Sequence, residues 1–391
     1  MSEVFIVSGV RTPMGGFQGE LSSLTAIELG ALSMREALVR AKLSADAVDE
    51  VIMGNVLAGG LKQAPARQAM RTAGLPDAVG ATTLNKVCGS GMKAVMLACD
   101  LIRAGSGRAV IAGGMESMSN SPYLLPKARA GLRMGHTQMF DSMFLDGLED
   151  AETGRAMGAF AQQTADEHQL TRADMDAYAT QSLQRAQAAI SSGALRTEIV
   201  PVQISERKGT RTIEHDEQPQ KADASKIPTL RAAFKTDGTI TAANSSSISD
   251  GASALVIAGD TLVQERGLTP LARIVAHATH SQHPSEFTLA PIGAIGKLLA
   301  KTGWKVEDVD LFEINEAFAM VTMLAIKGLN LDPARVNVNG GACAQGHPIG
   351  STGARLIVTL VHALKQRGAK RGIASLCIGG GEATAVAIEL V

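Results

Sequence analysis

The apolar positions of this chain change period repeatedly, and the changes sketch alternating strands and helices. Near the N-terminus, Val4-Phe5-Ile6-Val7 is a continuous apolar run that reads as a strand. Met92, Val95, Met96 and Cys99 recur at i, i+3, i+4 and i+7, one face of a helix. The stretch from Leu38 through Asp49 into Val51-Ile52-Met53 reads as helix, turn and buried strand. Leu299 through Asp310 into Leu311-Phe312-Glu313-Ile314 reads the same way. Asp49 and Asp310 set an offset of about 261 residues, longer than a solenoid unit and suited to a duplicated domain.

Further anchors follow in the same order. Gly89-Ser90-Gly91 turns into a long amphipathic stretch, as does Gly350-Ser351-Thr352-Gly353. Strands then follow that end in glycines or a Gly-Met-Glu, Val110 to Glu116 in one half and Leu376 to Glu382 in the other. The second half runs straight on into the strand Ala383 to Ile388, whereas its counterpart Ala252 to Ile257 comes only after about 130 residues. The chain therefore divides into an N-terminal domain of residues 1–118 and 250–270, an inserted loop domain of 119–249, and a C-terminal domain of 271–391. Within the insertion one helix is clear: Thr171 caps it, Asp174 is its third residue, Met175, Tyr178, Ala179 and Leu183 face inward, and Gly193 follows its end. Alternating strands and helices in both halves imply an α/β protein with mixed or parallel sheets covered by helices.

Composition narrows the class. The 391 residues can bury a large core, and Lys plus Arg (37) nearly balances Asp plus Glu (38), so nothing favours nucleic acid or a membrane surface. No apolar run reaches the roughly 18 residues of a membrane span, and the N-terminus shows no leader. The four cysteines, Cys88, Cys99, Cys343 and Cys377, lack metal-type or disulfide-rich spacing, so no metal site is read and a cytoplasmic, reducing setting is expected. His277, His280 and His283 have no fitting partner spacing for a metal either.

Cys88 lies in Asn85-Lys86-Val87-Cys88-Gly89-Ser90-Gly91, just ahead of the Met92 helix. Unpaired amides and the helix dipole at such a place favour a thiolate. Taken alone, a Cys among glycines also fits an inert core residue. The run Asn339 to Gly350 places His347 in a second glycine-rich loop, and internal symmetry makes it the mate of the Cys88 loop. If the halves pack as pseudo-twofold mates, thiol and imidazole meet near the axis, the pairing that activates a nucleophile. Cys377, ahead of three glycines, adds a second thiol.

Five ordered motifs resemble the thiolase family: the Cys88 motif, Gly113-Gly114-Met115-Glu116-Ser117-Met118-Ser119, Asn315-Glu316-Ala317-Phe318, Gly346-His347-Pro348-Ile349-Gly350 and Cys377-Ile378-Gly379-Gly380-Gly381. The resemblance covers almost the whole chain and implies a five-layered αβαβα fold of two similar domains plus an inserted loop domain. It implies that Cys88 takes the acyl group from an acyl-CoA, His347 removes its proton, and Cys377 works on the α-carbon of a second acetyl-CoA. By the same resemblance His347 and a water held by Asn315 form one oxyanion hole, and the amides of Cys88 and Gly379 form the other. Ser246, Met157 and Phe318 match positions near CoA. Cys377 separates the chain from condensing synthases with two His and from synthases that use a Glu.

The implied reaction condenses two acetyl-CoA to acetoacetyl-CoA and CoA, reversibly, with CoA thioesters as substrates, no tightly bound cofactor and a homotetrameric assembly. Gln345, Ala156, Phe287-Thr288-Leu289-Ala290 and the absence of an Arg near Pro219 to Lys221 depart from the acetoacetyl-forming branch. They leave a longer-chain 3-ketoacyl-CoA thiolase as the same-class alternative, since pocket bulk redirects specificity without touching chemistry. A non-catalytic acyl-CoA or lipid-binding protein is the alternative of another class.

Overall fold

The computed structural model describes residues 2–207 and 209–391. In chain order the core elements are β1 (Val4–Arg11), α1 (Ala26–Ala41), β2 (Glu50–Gly54), α2 (Pro65–Ala73), β3 (Gly80–Leu84), α3 (Ser90–Arg103) and β4 (Ala109–Ser117). After α4 (Met157–Glu167) and α5 (Arg172–Ser191) come β5 (Ser249–Gly259), β6 (Ala272–Ser281), α6 (Ala290–Thr302), β7 (Leu311–Ile314), α7 (Ala319–Leu329), α8 (Ile349–Arg367), β8 (Arg371–Ile378) and β9 (Glu382–Leu390).

The two halves repeat one pairing scheme. In the first, β2 runs parallel to both β3 and β4, β4 pairs antiparallel with β5, and β5 antiparallel with β1. In the second, β7 runs parallel to β8 and to an isolated bridge at Val336, β8 pairs antiparallel with β9, and β9 antiparallel with β6. The halves join edge to edge where Phe5 and Ile6 of β1 meet Arg273 and Ala272 of β6. The strand order is therefore β3-β2-β4-β5-β1-β6-β9-β8-β7.

Three apolar clusters give the five layers. Leu29 and Met34 of α1 and Met70 of α2 pack on Val51, Met53 and Ile111 at one outer face. Met92, Val95 and Met96 of α3 and Leu356, Ile357 and Leu360 of α8 fill the middle, against Val110 and Leu255 of one sheet half and Leu376 and Val386 of the other. Ala294, Ile295 and Leu298 of α6 cover Phe312 and Ile373 at the other outer face. Strands apolar on both faces are what this middle position requires.

In the middle layer α3 and α8 meet at glycines. A Cβ on Gly91 would lie 2.8 Å from Ala354 N and 2.9 Å from Ser351 O, and one on Gly353 would overlap the Met92 backbone. Only glycine allows this backbone approach, and the two positions lie in the glycine-rich turns that the repeat pairs. The chain leaves the sheet after Ser117 and returns at Ser249, whose strand runs alongside β4 from Asp250–Ser117 to Ala258–Ala109. Within that excursion Thr171 caps α5 by accepting from Asp174 N, with Met175, Ala179 and Leu183 buried and Gly193 at positive φ beyond its end.

Candidate active site

The Cys88 loop is held by its own backbone and one serine. Lys86 N donates to Ser90 Oγ at 2.8 Å, Ser90 Oγ donates to Val87 O at 2.7 Å, and Val87 N donates to Asn85 Oδ1 at 2.8 Å. Val87 adopts φ of 46°, a left-handed conformation costly for a β-branched residue, immediately before the thiol. Lys86 Nζ forms an ion pair with Glu382 beyond β8. A Cβ on Gly89 would overlap Ile378, so the loop packs directly against the strand end that carries Cys377.

His347 follows Gly346, whose φ of 114° and contact with Ser249 exclude a side chain. Its backbone N donates to Ser247 O at 3.1 Å. Its Nδ1 lies 2.7 Å from Thr352 Oγ1, and that hydroxyl donates to Pro348 O at 3.0 Å. With its only proton committed there, Thr352 accepts from Nδ1–H, which leaves Nε2 as a bare lone pair. Nε2 is buried and has no partner among the described residues, as a general base awaiting a substrate proton would be. Below the loop, the buried Glu116 accepts from Gly350 N (2.9 Å), Val56 N (3.0 Å), Leu57 N (3.1 Å) and Asn55 Nδ2 (2.8 Å).

Cys88, His347, Cys377 and Gly379 open into one cleft of about 940 Å³ including its mouth. Ser246, Met157 and Phe318 line it too, with Phe144, Leu148, Ala156, Phe234 and Phe287 making most of the wall apolar. Phe318 packs edge-on against both Phe287, at 6.5 Å between centroids, and Phe234, at 6.4 Å. Ser246 is fixed by donating its N–H to Ala317 O at 2.9 Å. A second depression, lined by Gln218, Lys221, Lys226 and Ala243, adjoins the first at Ser247.

Asn315 is buried and absent from the cleft wall. Its Nδ2 has no partner among the described residues, and its Oδ1 accepts from Arg355 Nη2 at 3.4 Å. The adjacent Glu316 accepts from Ser182 Oγ (2.7 Å), Asn337 Nδ2 (2.8 Å), Tyr178 Oη (2.9 Å) and Cys343 N (3.1 Å), tying α5 to the loop that leads to His347.

Electrostatics corrects one expectation from the sequence. Burial pushes the Cys88 thiol up to about 11, against a smaller downward pull from the backbone N–H groups of Gly379 and Cys88. Burial, with Cys88 adding to it, drives Cys377 higher still. Burial and then the Arg355 charge lower His347 to about 3. At neutral pH the resting pair is a neutral thiol and a neutral imidazole, because desolvation outweighs the helix N-terminus. The backbone amides of Gly379 and Cys88 both aim at the Cys88 sulfur.

Thr352, Arg355 and Glu316 escaped the sequence reading as functional residues. Thr352 and Arg355 lie one and two turns along the helix after His347, a spacing that can return a side chain beneath the loop. Gln345 is buried away from the cleft, donating to Asn339 O at 3.1 Å, so it does not shape the acyl pocket wall. Lys221 is paired with Glu217. His277, His280 and His283 each have a separate partner, Asp100, Gln282 and Ser285, and the described residues hold no cluster of three metal-type ligands. No helix among the described residues is long and apolar enough to cross a membrane.

Comparison with known proteins adds an independent line. Residues 4–261 match the family "Thiolase, N-terminal domain" and residues 268–390 match "Thiolase, C-terminal domain". The chain is 47% identical to the acetyl-CoA acetyltransferase of Schizosaccharomyces pombe over 100% of this chain and 99% of that protein. It is 48% identical to the acetyl-CoA acetyltransferase of Escherichia coli over 100% and 99%. Among solved structures, the Acat5 thiolase of Ascaris suum in complex with coenzyme A superposes with a TM-score of 0.94 at 42% identity, covering 100% of both chains. The Bacillus anthracis acetyl-CoA acetyltransferase gives 0.97 at 41%, covering 100% and 99%.

Proposed function

The chain belongs to the thiolase family, and on that premise we propose that this acyltransferase condenses two acetyl-CoA molecules to acetoacetyl-CoA and CoA, and runs in reverse. The observation that carries the reading is the meeting of two thiols and one bare imidazole nitrogen in a single apolar cleft. As the Cys88 sulfur attacks the thioester carbonyl, its proton passes to His347 Nε2, so no charge has to exist beforehand. The carbonyl oxygen becomes an oxyanion facing the amides of Cys88 and Gly379. CoA then departs as a thiol, taking the proton from His347, and Cys88 is left as a thioester.

A second acetyl-CoA gives up an α-proton to Cys377, whose own proton has first passed to His347 Nε2 and returns to the Cys88 sulfur when that sulfur is expelled. His347 and the Asn315 side stabilise the enolate oxygen, and the α-carbon attacks the acetyl group on Cys88. The new carbon–carbon bond expels the Cys88 sulfur, and acetoacetyl-CoA leaves. Ser246, Met157 and Phe318 would line the pantetheine arm, and the adjoining depression with Lys221 and Lys226 would take the phosphate-bearing end.

The division into 1–118 with 250–270, 119–249 and 271–391 belongs to the same proposal, as do a homotetrameric assembly and a cytoplasmic setting. Four free cysteines support the last. The deciding experiment compares kcat/KM for CoA-dependent thiolysis of acetoacetyl-CoA and of a medium-chain 3-ketoacyl-CoA. Preference for acetoacetyl-CoA is expected. Preference for the longer chain would transfer the protein to degradative thiolysis with the same residues, and no Cys88 thioester at all would leave a binding protein.

A further inference from the structure

Arg355 stands on the second turn of α8 with almost no exposure, yet its guanidinium reaches few acceptors. Nη2 donates to Asn315 Oδ1 at 3.4 Å, and Glu313 Oε2 lies 4.0 Å from Nη1. Among the described residues Nε and Nη1 have no hydrogen-bond partner, and neither do Glu313 Oε2 and Asn315 Nδ2. Two further carboxylates bear on it: Glu198, whose Oε1 is held by Arg11 at 2.6 Å and the Thr359 hydroxyl at 3.1 Å while its Oε2 has no partner among the described residues, and Glu316, held by Ser182, Asn337, Tyr178 and Cys343. Burial pushes Glu313 up against the pull of Arg355, and burial likewise disfavours the Arg355 charge, which Glu313, Glu198 and Glu316 offset without a close hydrogen-bonded pair to any of them. A buried, underpaired guanidinium is expensive, and filling space does not require one.

Its chemistry settles an ambiguity in Asn315. A primary amide has two orientations of nearly equal shape, differing only in which end is oxygen. A guanidinium donates and never accepts, so it can face only the oxygen. Nδ2 is thereby turned away from Arg355 and kept free to donate. We propose that Arg355 is a positioning residue for carbon–carbon bond formation: it holds the Asn315 amide by its oxygen, keeping Nδ2 free to donate to the water through which Asn315, behind the cleft wall, would serve the enolate oxygen. This rests on the reading that Asn315 serves the enolate step.

The test compares Asn315→Ala, Arg355→Met and the double variant in two assays. One follows acetylation of Cys88 by acetyl-CoA as first-turnover CoA release. The other follows exchange of the acetyl-CoA α-proton with deuterated solvent. Arg355→Met is expected to acetylate within about twofold of the parent and to lose about tenfold in exchange, the change that about 1.4 kcal/mol of orienting interaction produces. The double variant should be no slower than Asn315→Ala, because Arg355 acts through that amide. A parallel Arg355→Gln variant, which can face either end of the amide, should show the same selective loss and guards against a folding defect in Arg355→Met. Equal losses in both assays, or fully additive losses in the double variant, would overturn the inference. Normal exchange in Arg355→Met beside slow exchange in Asn315→Ala would overturn it alone. Normal exchange in Asn315→Ala would overturn the role of Asn315 itself and with it the route assigned to Arg355.

Discussion

Replacing Thr352 with valine removes one oxygen and keeps the shape, which isolates the hydroxyl beneath His347. Pro348 O loses the Thr352 hydroxyl but still accepts from the backbone N–H groups of Ser351 (2.9 Å) and Thr352 (3.0 Å), so no new orphan arises there. His347 Nδ1, 2.7 Å from the lost oxygen and buried, does lose its acceptor. A buried N–H without a partner costs about 1–3 kcal/mol. Moving the proton to Nε2 gives no escape, since that atom too is buried without a partner among the described residues, so the tautomer preference is lost and the imidazolium that forms as Cys88 gives up its proton has no acceptor at Nδ1. At about 1.4 kcal/mol per decade, the lost acceptor slows proton transfer by about 5- to 150-fold. Rapid mixing with acetyl-CoA at neutral pH, reading CoA released in the first turnover, measures the step directly. Thr352→Val should slow it by that range, while Thr352→Ser, which keeps the oxygen, stays within about twofold. Acylation at the parental rate in Thr352→Val, with thermal unfolding unchanged, would refute the tautomer argument.

Three further outcomes follow from the same site. Cys377→Ala should still acetylate Cys88 but stall before bond formation, and Cys88→Ala should not acetylate at all; mass spectrometry of the intact chain separates them, and equal loss in both would contradict the division of labour. Alkylation of the resting enzyme by iodoacetamide should keep accelerating from pH 7 to pH 10 without a plateau, because a thiol raised to about 11 gains thiolate only as pH climbs; a plateau near pH 7 would mean a preformed thiolate. Phe287→Leu should open the wall beside Phe318 and raise kcat/KM for a medium-chain 3-ketoacyl-CoA relative to acetoacetyl-CoA by about tenfold, the scale of a few methylenes in an apolar pocket. No change in that ratio would remove Phe287 from the specificity wall.

Strands, helices and the internal repeat were legible because they follow from period and spacing, which local residues control. Met92, Val95, Met96 and Cys99 are all buried on α3, and Thr171 does cap α5. The protonation state of Cys88 was not legible. The helix N-terminus is visible in sequence, but the opposing desolvation comes from Ile378, Phe318 and other walls distant in the chain. Thr352 escaped for a related reason, since nothing marks a helical Thr as facing a histidine until the Pro348 turn folds it beneath the ring. Gln345 drew attention because it adjoins the Gly-His motif, yet the positive φ of Gly346 turns its neighbours apart. Arg355 read as an ordinary polar helix position and turned out to be among the largest side chains with essentially no exposure.

The crossing of α3 and α8 at Gly91 and Gly353 carries a mechanical consequence. Helix interfaces built from side chains can creep, one rotamer at a time, and so let domains swing apart. Here peptide backbone rests on peptide backbone at both glycines, flanked by the apolar side chains of the middle layer, and both chemical loops spring from that joint. The paired halves therefore behave as a fixed chassis. An engineer seeking larger or smaller acyl guests has reason to leave that crossing alone and vary the apolar cleft wall, Phe234, Phe287 and Phe318 among it, changing the doorway while the alignment of thiols and imidazole stays true.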